Sequence, residues 1–263
     1  MLLSFGNGPK EVFYSGAIHA NEWITSVLLM KFIEDYCSAY NGNSTLYGYS
    51  IRKLFDDVSI YIMPMINPDG VDLVTGNISR CSNSFLTAKK ISKNFPKIPF
   101  PDRMESKYTS GLIWICSFLL AGRMQKKLNI LKDLLSLLQG ILWVFGPLTE
   151  PESIAIYNFT LSHNFELTIS FHTQGQEIYW NFQNIYPPRG YEIGTKFAES
   201  SGYLLTDVPY NSSFAGFKDW FIQDYNKPGF TIEAGIGKNP LPIEQFEEIY
   251  NNNLGILILG AIT

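Results

Sequence analysis

Short apolar segments bounded by turn residues alternate along this chain with longer segments in which apolar residues recur at helical spacing. This alternation constrains the fold strongly, because strands that alternate with helices are typical of a sheet covered by helices. We therefore predict a single α/β domain, residues 1–263, built on a mixed β-sheet with helices on both faces. The predicted strands are residues 12–18, 59–65, 165–171 and 230–233, and the predicted helices are residues 23–40, 151–163, 191–201, 217–225 and 243–259.

Composition and charge exclude several classes of protein. The 263 residues are 46% hydrophobic and 17% charged, which is enough apolar material for a sizeable core and too much for a disordered chain. The net charge of −4 argues against a protein that binds nucleic acid by neutralising its phosphates. The three cysteines contain no C-x-x-C pair, so we expect neither a disulfide framework nor a cysteine-based zinc knuckle.

Candidate metal-binding and catalytic residues stand at the ends of the predicted strands. His19 and Glu22 follow the first strand as H-x-x-E, a spacing that lets an imidazole and a carboxylate converge on one zinc ion. His172 follows the third strand, at a carboxyl end that faces the crevice in which α/β proteins bind ligands. Glu233 ends an otherwise apolar strand, where a carboxylate is costly to bury unpaired. Taken one by one, these residues also fit a capped helix start, a hydrogen-bonded core histidine and a paired buried carboxylate.

Two further polar residues are interpreted without a catalytic role. His163 lies between a predicted helix and a predicted strand, where we expect a solvated capping residue rather than a metal ligand. Asp69 belongs to the sequence Asn-Pro-Asp-Gly at 67–70, which predicts a tight turn after the second strand. We expect Asp69 to hold this turn rather than to contact a substrate.

Six motifs connect these residues: GAIHANEWITS at 16–26, INPDGV at 66–71, GPLTEPES at 146–153, SFHTQGQEIYW at 170–180, YNSSFAGFKDWFIQ at 210–223 and PGFTIEAG at 228–235. Together and in this order they resemble the zinc carboxypeptidase family (peptidase family M14), especially its bacterial γ-D-glutamyl-diamino-acid peptidase branch. The motifs are spread along the chain on both sides of residues 104–145. The resemblance implies the α/β fold of that family and a metallopeptidase activity.

The resemblance also implies a role for each candidate residue. His19, Glu22 and His172 match the ligands of one Zn²⁺ per chain, with a fourth position left for water as in catalytic zinc sites. Glu233 matches the general base, which takes a proton from the zinc-bound water as it attacks the scissile carbonyl. Tyr210 matches a tyrosine of the family that closes over the substrate, and a tyrosine of a surface loop is the alternative.

The implied partner is a peptide, specifically a peptidoglycan stem peptide cleaved next to γ-D-glutamate. We expect neither nucleic acid nor a stable membrane association. Asn21 stands where digestive members of the family carry an arginine, which argues against ordinary carboxypeptidase specificity. No signal peptide is visible, so the cytoplasm is the expected compartment, and a missing N-terminus would leave an extracellular or cell-wall location open.

Residues 104–145 depart from the family's pattern. They are rich in leucine, and they stand where the family carries substrate- and oxyanion-binding residues in a stretch resembling W-K-A-N-I-R-G-V-D-L-N-x-Q-F-P. Codons compatible with residues 104–109 spell W-K-A-N-I-R when the frame moves by one base. Codons for residues 112–145 likewise spell a polar, family-like peptide that runs into Gly146. We therefore interpret residues 104–145 as out of frame, and a genuine helical hairpin lying on a membrane surface is the alternative.

This interpretation carries an expectation about activity. The arginine that stabilises the oxyanion is absent from the shifted segment, and loss of one such donor costs roughly 10²–10³ in rate. The family's domain also begins some strands and a helix earlier, so we expect an incomplete domain. We therefore expect weak or no activity from the chain as written, and the alternative function is an inactive remnant or pseudoenzyme that retains zinc binding.

Overall fold

A seven-stranded β-sheet forms the centre of the protein in a computed structural model. The structure describes residues 1–83, 85, 86, 89, 148, 151–208 and 216–263, and residues 104–145 lie outside these ranges. The strands are β1 (Leu3–Phe5), β2 (Lys10–Ser15), β3 (Thr45–Leu46), β4 (Tyr49–Ser50), β5 (Val58–Met63), β6 (Phe165–His172), β7 (Glu177–Tyr179), β8 (Leu204–Thr206) and β9 (Gly229–Glu233).

The sheet is mixed, which confirms the predicted fold class. Its strand order is β1-β5-β2-β6-β9-β7-β8, and β3 pairs with β4 in a separate hairpin. Strands β5, β2, β6 and β9 are parallel, whereas β1 runs antiparallel to β5 and β7 antiparallel to β9. Because β2, β6 and β9 are parallel neighbours, their carboxyl ends meet at one edge of the sheet.

Helices cover both faces of the sheet. Val12 and Tyr14 of β2 belong to one apolar core, whereas Phe13 between them belongs to a second core on the opposite face. This alternation is the period of two that a strand buried on both sides requires. The helices are α1 (Ile24–Asn41), α2 (Ile51–Asp57), α3 (Pro68–Thr75), α4 (Pro151–Leu161), α5 (Gly190–Ser201), α6 (Phe217–Tyr225) and α7 (Phe246–Ile262).

The sequence Asn-Pro-Asp-Gly does not form the predicted tight turn but begins helix α3. The Asn67 side chain accepts a hydrogen bond from the Gly70 N–H at 2.9 Å, and Pro68 occupies the first helical turn. An asparagine cap followed by proline is a strong helix start, since the cap satisfies a free N–H and proline has none to lose. Asp69 lies exposed in this first turn.

His163 is not the predicted solvated cap. Its Nδ1 lies 3.0 Å from Glu11 Oε1, and its ring stacks on Phe165 at a centroid distance of 5.0 Å. The reason lies in the sheet, because Glu11 of β2 pairs with Phe165 at the start of β6 and so stands beside the residue that leads into that strand. Its side chain is 19% exposed.

No helix in the described part of the chain is long and apolar enough to cross a membrane.

Candidate metal centre

His19 and Glu22 lie in the loop that leaves the carboxyl end of β2. His19 is the last extended residue before a 3-10 turn, Ala20–Glu22, and its carbonyl accepts a hydrogen bond from the Glu22 N–H at 3.0 Å. This turn folds the carboxylate back, so that Glu22 Oε1 lies 2.9 Å from His19 Nδ1. The H-x-x-E spacing therefore brings an imidazole and a carboxylate to one point.

A buried threonine fixes the shape of this loop. The Thr25 hydroxyl donates to the Glu22 carbonyl at 2.7 Å and accepts from the Ala17 N–H at 2.8 Å. The Ala17 carbonyl in turn accepts from the Asn67 N–H at 3.1 Å, which ties the loop to the start of α3. Because Thr25 is fully buried, leaving either bond unmade would cost the desolvation of a buried polar group. Sequence analysis did not identify Thr25.

His172 approaches the same point from the end of β6. The residue is 8% exposed, and its Nδ1 lies 2.8 Å from Glu22 Oε2 and 3.2 Å from His19 Nδ1. The neighbouring strand β9 holds this position, because the Ala234 N–H donates to the His172 carbonyl at 2.8 Å. Residues more than 150 positions apart in sequence thus meet where two parallel strands end.

His19, Glu22 and His172 fit a zinc ion. They offer one ligand atom each, and these atoms all lie within 4.8 Å of one another. Two imidazole nitrogens and a carboxylate oxygen, with a further position left open, are the donor set of many catalytic zinc sites. Within the ranges that the structure describes, this is the one such group of histidine, cysteine and acidic side chains.

The charges within this cluster stabilise one another. Burial lowers the pKa of His19, but the adjacent Glu22 carboxylate outweighs burial and raises the pKa to about 8. Burial raises the pKa of Glu22, but the two histidines outweigh burial and hold the pKa well below its ordinary range. The Glu22 carboxylate thus favours a proton on His19, and a metal ion that binds these residues competes with that proton.

Glu233 lies beside the cluster at the end of β9. Its Cα pairs with His172 of β6 on one side and with Glu177 of β7 on the other. Burial raises the pKa of Glu233 to about 7, because the attraction of His172 and His19 offsets only part of the effects of burial and of the Glu22 and Glu177 charges. A carboxylate that titrates near neutral pH is suited to accept a proton in catalysis.

Asn239 and Thr173 connect the loop after β9 to the cluster, and sequence analysis missed both. Asn239 Nδ2 donates to the Thr173 carbonyl at 2.8 Å and reaches Glu22 Oε1 at 3.5 Å. The Thr173 hydroxyl donates to Asn239 Oδ1 at 2.6 Å, which orients the amide. Because Thr173 directly follows His172, Asn239 contacts both the Glu22 carboxylate and the backbone next to His172.

The remaining candidates are Asn21 and Tyr210. Asn21 is buried in the 3-10 turn between His19 and Glu22. Tyr210 lies outside the described residues. The four residues that the structure brings together are thus His19, Glu22, His172 and Glu233.

Comparison with known proteins gives the family of the chain. The model of the zinc carboxypeptidase family, peptidase M14, matches residues 4–255. Among solved structures, bovine thrombin-activatable fibrinolysis inhibitor in complex with a tick carboxypeptidase inhibitor shares the fold, with a TM-score of 0.64 at 16% sequence identity. That similarity covers 99% of this chain and 84% of the other.

Two curated bacterial relatives match over almost the whole chain. The γ-D-glutamyl-L-diamino acid endopeptidase 1 of Lysinibacillus sphaericus is 38% identical over 255 residues, which is 97% of this chain and 62% of that protein. The uncharacterised protein YqgT of Bacillus subtilis is 35% identical over 248 residues, which is 94% of this chain and 64% of that protein. The chain thus spans less than two thirds of the length of both relatives. The family match, the shared fold and the histidine–carboxylate cluster agree: the chain belongs to the zinc carboxypeptidase family.

Proposed function

We propose that this chain is a zinc-dependent peptidase that hydrolyses γ-D-glutamyl bonds to a diamino acid in peptidoglycan stem peptides. The observation that carries the proposal is the convergence of His19, Glu22 and His172, whose ligand atoms lie within 4.8 Å of one another beside Glu233. A zinc ion held by these three residues would polarise the scissile carbonyl and lower the pKa of a water molecule to about 7.

The two carboxylates at this site have different roles, one in binding the metal and one in transferring the proton. Glu22 stays ionised between the two imidazoles, which makes it a metal ligand and a poor proton acceptor. Glu233 has a raised pKa, and its carboxylate makes no hydrogen bond or ion pair with another described residue, so it is available to accept a proton. Glu233 is therefore the group that takes the proton from the attacking water and passes it to the leaving amine.

The substrate class rests on the relatives. The γ-D-glutamyl-L-diamino acid endopeptidase 1 is 38% identical to the chain, and the identity extends over 97% of the chain. We infer that the peptide partner carries a γ-linked D-glutamate before the scissile bond and a diamino acid after it. Asn21 stands where the resemblance places an arginine in digestive carboxypeptidases, which argues against ordinary carboxypeptidase specificity.

The experiment compares two peptides on the purified, zinc-loaded chain. We expect slow hydrolysis of a peptide with a γ-D-glutamyl-diaminopimelate bond, inhibition by a metal chelator and recovery on addition of zinc. A peptide with an ordinary α-linked C-terminal residue should be hydrolysed far more slowly. Preferential hydrolysis of the ordinary peptide would contradict the proposed specificity.

A matched chain tests the interpretation of residues 104–145. In this control the segment is replaced by the peptide of the shifted reading frame, and DNA sequencing across the codons for residues 95–150 establishes which form the gene encodes. Under that interpretation, the corrected chain should hydrolyse the γ-D-glutamyl peptide at least roughly 10²-fold faster, because one oxyanion donor is worth that much. Zinc binding by both forms without hydrolysis by either would instead support the inactive remnant.

A further inference from the structure

Glu177 lies next to the proposed general base and has no role in the chemistry described so far. It begins β7, which runs antiparallel to β9, and its Cα pairs directly with that of Glu233. Residues paired in register lie on the same face of a sheet, with Cβ atoms about 4.5–5.5 Å apart. His172, Glu233 and Glu177 therefore form a row across three neighbouring strands, from the metal-binding cluster outwards.

Tyr179 holds the Glu177 carboxylate in place. Its hydroxyl donates to Glu177 Oε2 at 2.6 Å, and the two residues share a face of β7 because they are two positions apart. Burial raises the pKa of the Tyr179 hydroxyl, and the Glu177 carboxylate raises it further, so the hydroxyl stays protonated as a donor. This bond fixes one carboxylate oxygen and leaves the other with acceptor capacity.

The ion pairs of the described residues do not include Glu177. In the described part of the chain, neither lysine nor arginine pairs with Glu177, whereas Glu166 pairs with Lys227 at 2.9 Å. The nearest charged neighbour in the sheet, Glu233, is itself acidic. A cationic group of a ligand would be stabilised beside these two acidic side chains.

We propose that Glu177 is a specificity-determining residue that binds the side-chain ammonium group of the diamino acid. The inference rests on the proposed function, since a γ-D-glutamyl-diamino acid bond uses one amino group of the diamino acid and leaves the other free and protonated. That ammonium group lies a few bonds from the scissile nitrogen, and Glu177 lies one strand from Glu233. Tyr179 acts as the positioning residue for the carboxylate.

A binding measurement tests the role of Glu177 without depending on turnover. Isothermal titration calorimetry on the zinc-loaded chain compares L-lysine with Nε-acetyl-L-lysine, which lacks the side-chain charge. The unaltered chain should bind L-lysine about 10- to 100-fold more tightly, as expected for a hydrogen bond to a charged group. In Glu177→Gln this preference should disappear, although glutamine still offers an acceptor to the Tyr179 hydroxyl.

Two further variants separate this role from general effects of charge and packing. Glu166→Gln removes the same charge near the opposite end of β6, which is separated from β7 by β9, and it should keep the full preference for L-lysine. Tyr179→Phe keeps the carboxylate but frees it, and the preference should fall severalfold. Equal affinity for both ligands in the unaltered chain, no binding of either, or an undiminished preference in Glu177→Gln would each overturn the proposal.

Hydrolysis of γ-D-glutamyl-L-lysine and of its Nε-acetylated form then distinguishes the two proposals. A higher kcat/KM for the free amine, lost in Glu177→Gln and kept in Glu166→Gln, supports both of them. Equal kcat/KM values for the two peptides overturn the role of Glu177 while the peptidase function stands. Hydrolysis of neither peptide by the chain in which residues 104–145 are replaced by the peptide of the shifted frame, together with tighter binding of L-lysine, overturns the peptidase function and supports Glu177 as a cation site.

Discussion

Replacing Asn239 by alanine should weaken zinc binding, although Asn239 is not itself a candidate ligand. Its amide lies 3.5 Å from Glu22 Oε1 and donates to the Thr173 carbonyl at 2.8 Å, so it restrains a carboxylate ligand and the residue that follows His172. Partners of this kind orient ligands, and their loss typically lowers metal affinity about 10- to 100-fold. We expect Asn239→Ala to fall within this range.

The same change should also lower the stability of the metal-free chain. It removes the 2.6 Å and 2.8 Å hydrogen bonds with Thr173, which is 4% exposed, and it leaves the threonine hydroxyl without this acceptor. Leaving a buried polar group unsatisfied costs about 1–3 kcal/mol. Zinc affinity is measured by competition with a chromophoric chelator, and the free energy of unfolding by urea titration in the presence of a strong chelator.

Two controls show whether the effect comes from the contact with Glu22. Asn251→Ala is the same substitution at an exposed position of α7, and neither zinc affinity nor stability should change beyond error. Thr173→Val removes the hydroxyl but keeps the Asn239 amide, so it should lower stability more than zinc affinity. Zinc binding by folded Asn239→Ala as tight as that of the unaltered chain would refute the reasoning.

Three other substitutions address the proton acceptor, a side-chain contact between strands and a buried ion pair. Glu233→Gln should lower kcat about 10²–10⁴-fold in the peptide assay while zinc affinity changes little, and a parallel loss of zinc would contradict its role as base. Burial raises the pKa of Glu11, but hydrogen bonds from His163 and neighbouring donors outweigh burial and lower it. The ionised carboxylate therefore stabilises the fold at pH values above its ordinary pKa, and this stabilisation is lost as the pH falls. Glu11→Gln should therefore destabilise the chain at pH 7 by about 1–2 kcal/mol in urea titrations, with the difference shrinking below about pH 4, and a constant difference would be inconsistent with this linkage. Lys218→Met removes the ion pair between the buried Lys218 Nζ and Asp219 Oδ1, which lie 2.6 Å apart, and should lower the free energy of unfolding by about 3–5 kcal/mol. The double variant Lys218→Met with Asp219→Leu should be more stable than Lys218→Met alone, because it leaves no unpaired buried charge.

The parts of the fold that the sequence predicted are those that carry a local signal. Helix α6 begins and ends where the pattern places it, because its apolar residues recur at helical spacing between a glycine and an asparagine. Strands β7 and β8 have three residues each, too few for a period of two to be recognised, and they depend on pairing with their neighbours. Helix α3 was missed because its cap and first turn use the residues of a tight turn.

The candidate site divides in the same way. His19, Glu22, His172 and Glu233 could be found because each follows or ends an apolar strand, a position visible in the sequence. Asn239 could not be found, since its partner Glu22 lies 217 positions away and a loop asparagine has no pattern of its own. The sequence therefore identifies groups that strand ends present, whereas the contacts that orient them require the folded chain.

The pKa values of Glu22 and Glu233 shift in opposite directions because the two carboxylates have different neighbours. Glu22 has an imidazole within 2.9 Å of each carboxylate oxygen, so the positive charge of the histidines outweighs burial and keeps it ionised. Glu233 has one histidine and one acidic neighbour in the sheet, so burial dominates and raises its pKa. Placing pKa values of like groups on opposite sides of their ordinary range is how a site assigns one carboxylate to a fixed charge and another to proton transfer. In this chain the assignment follows from strand order, because β9 lies between β6 and β7, whose ends supply His172 and Glu177.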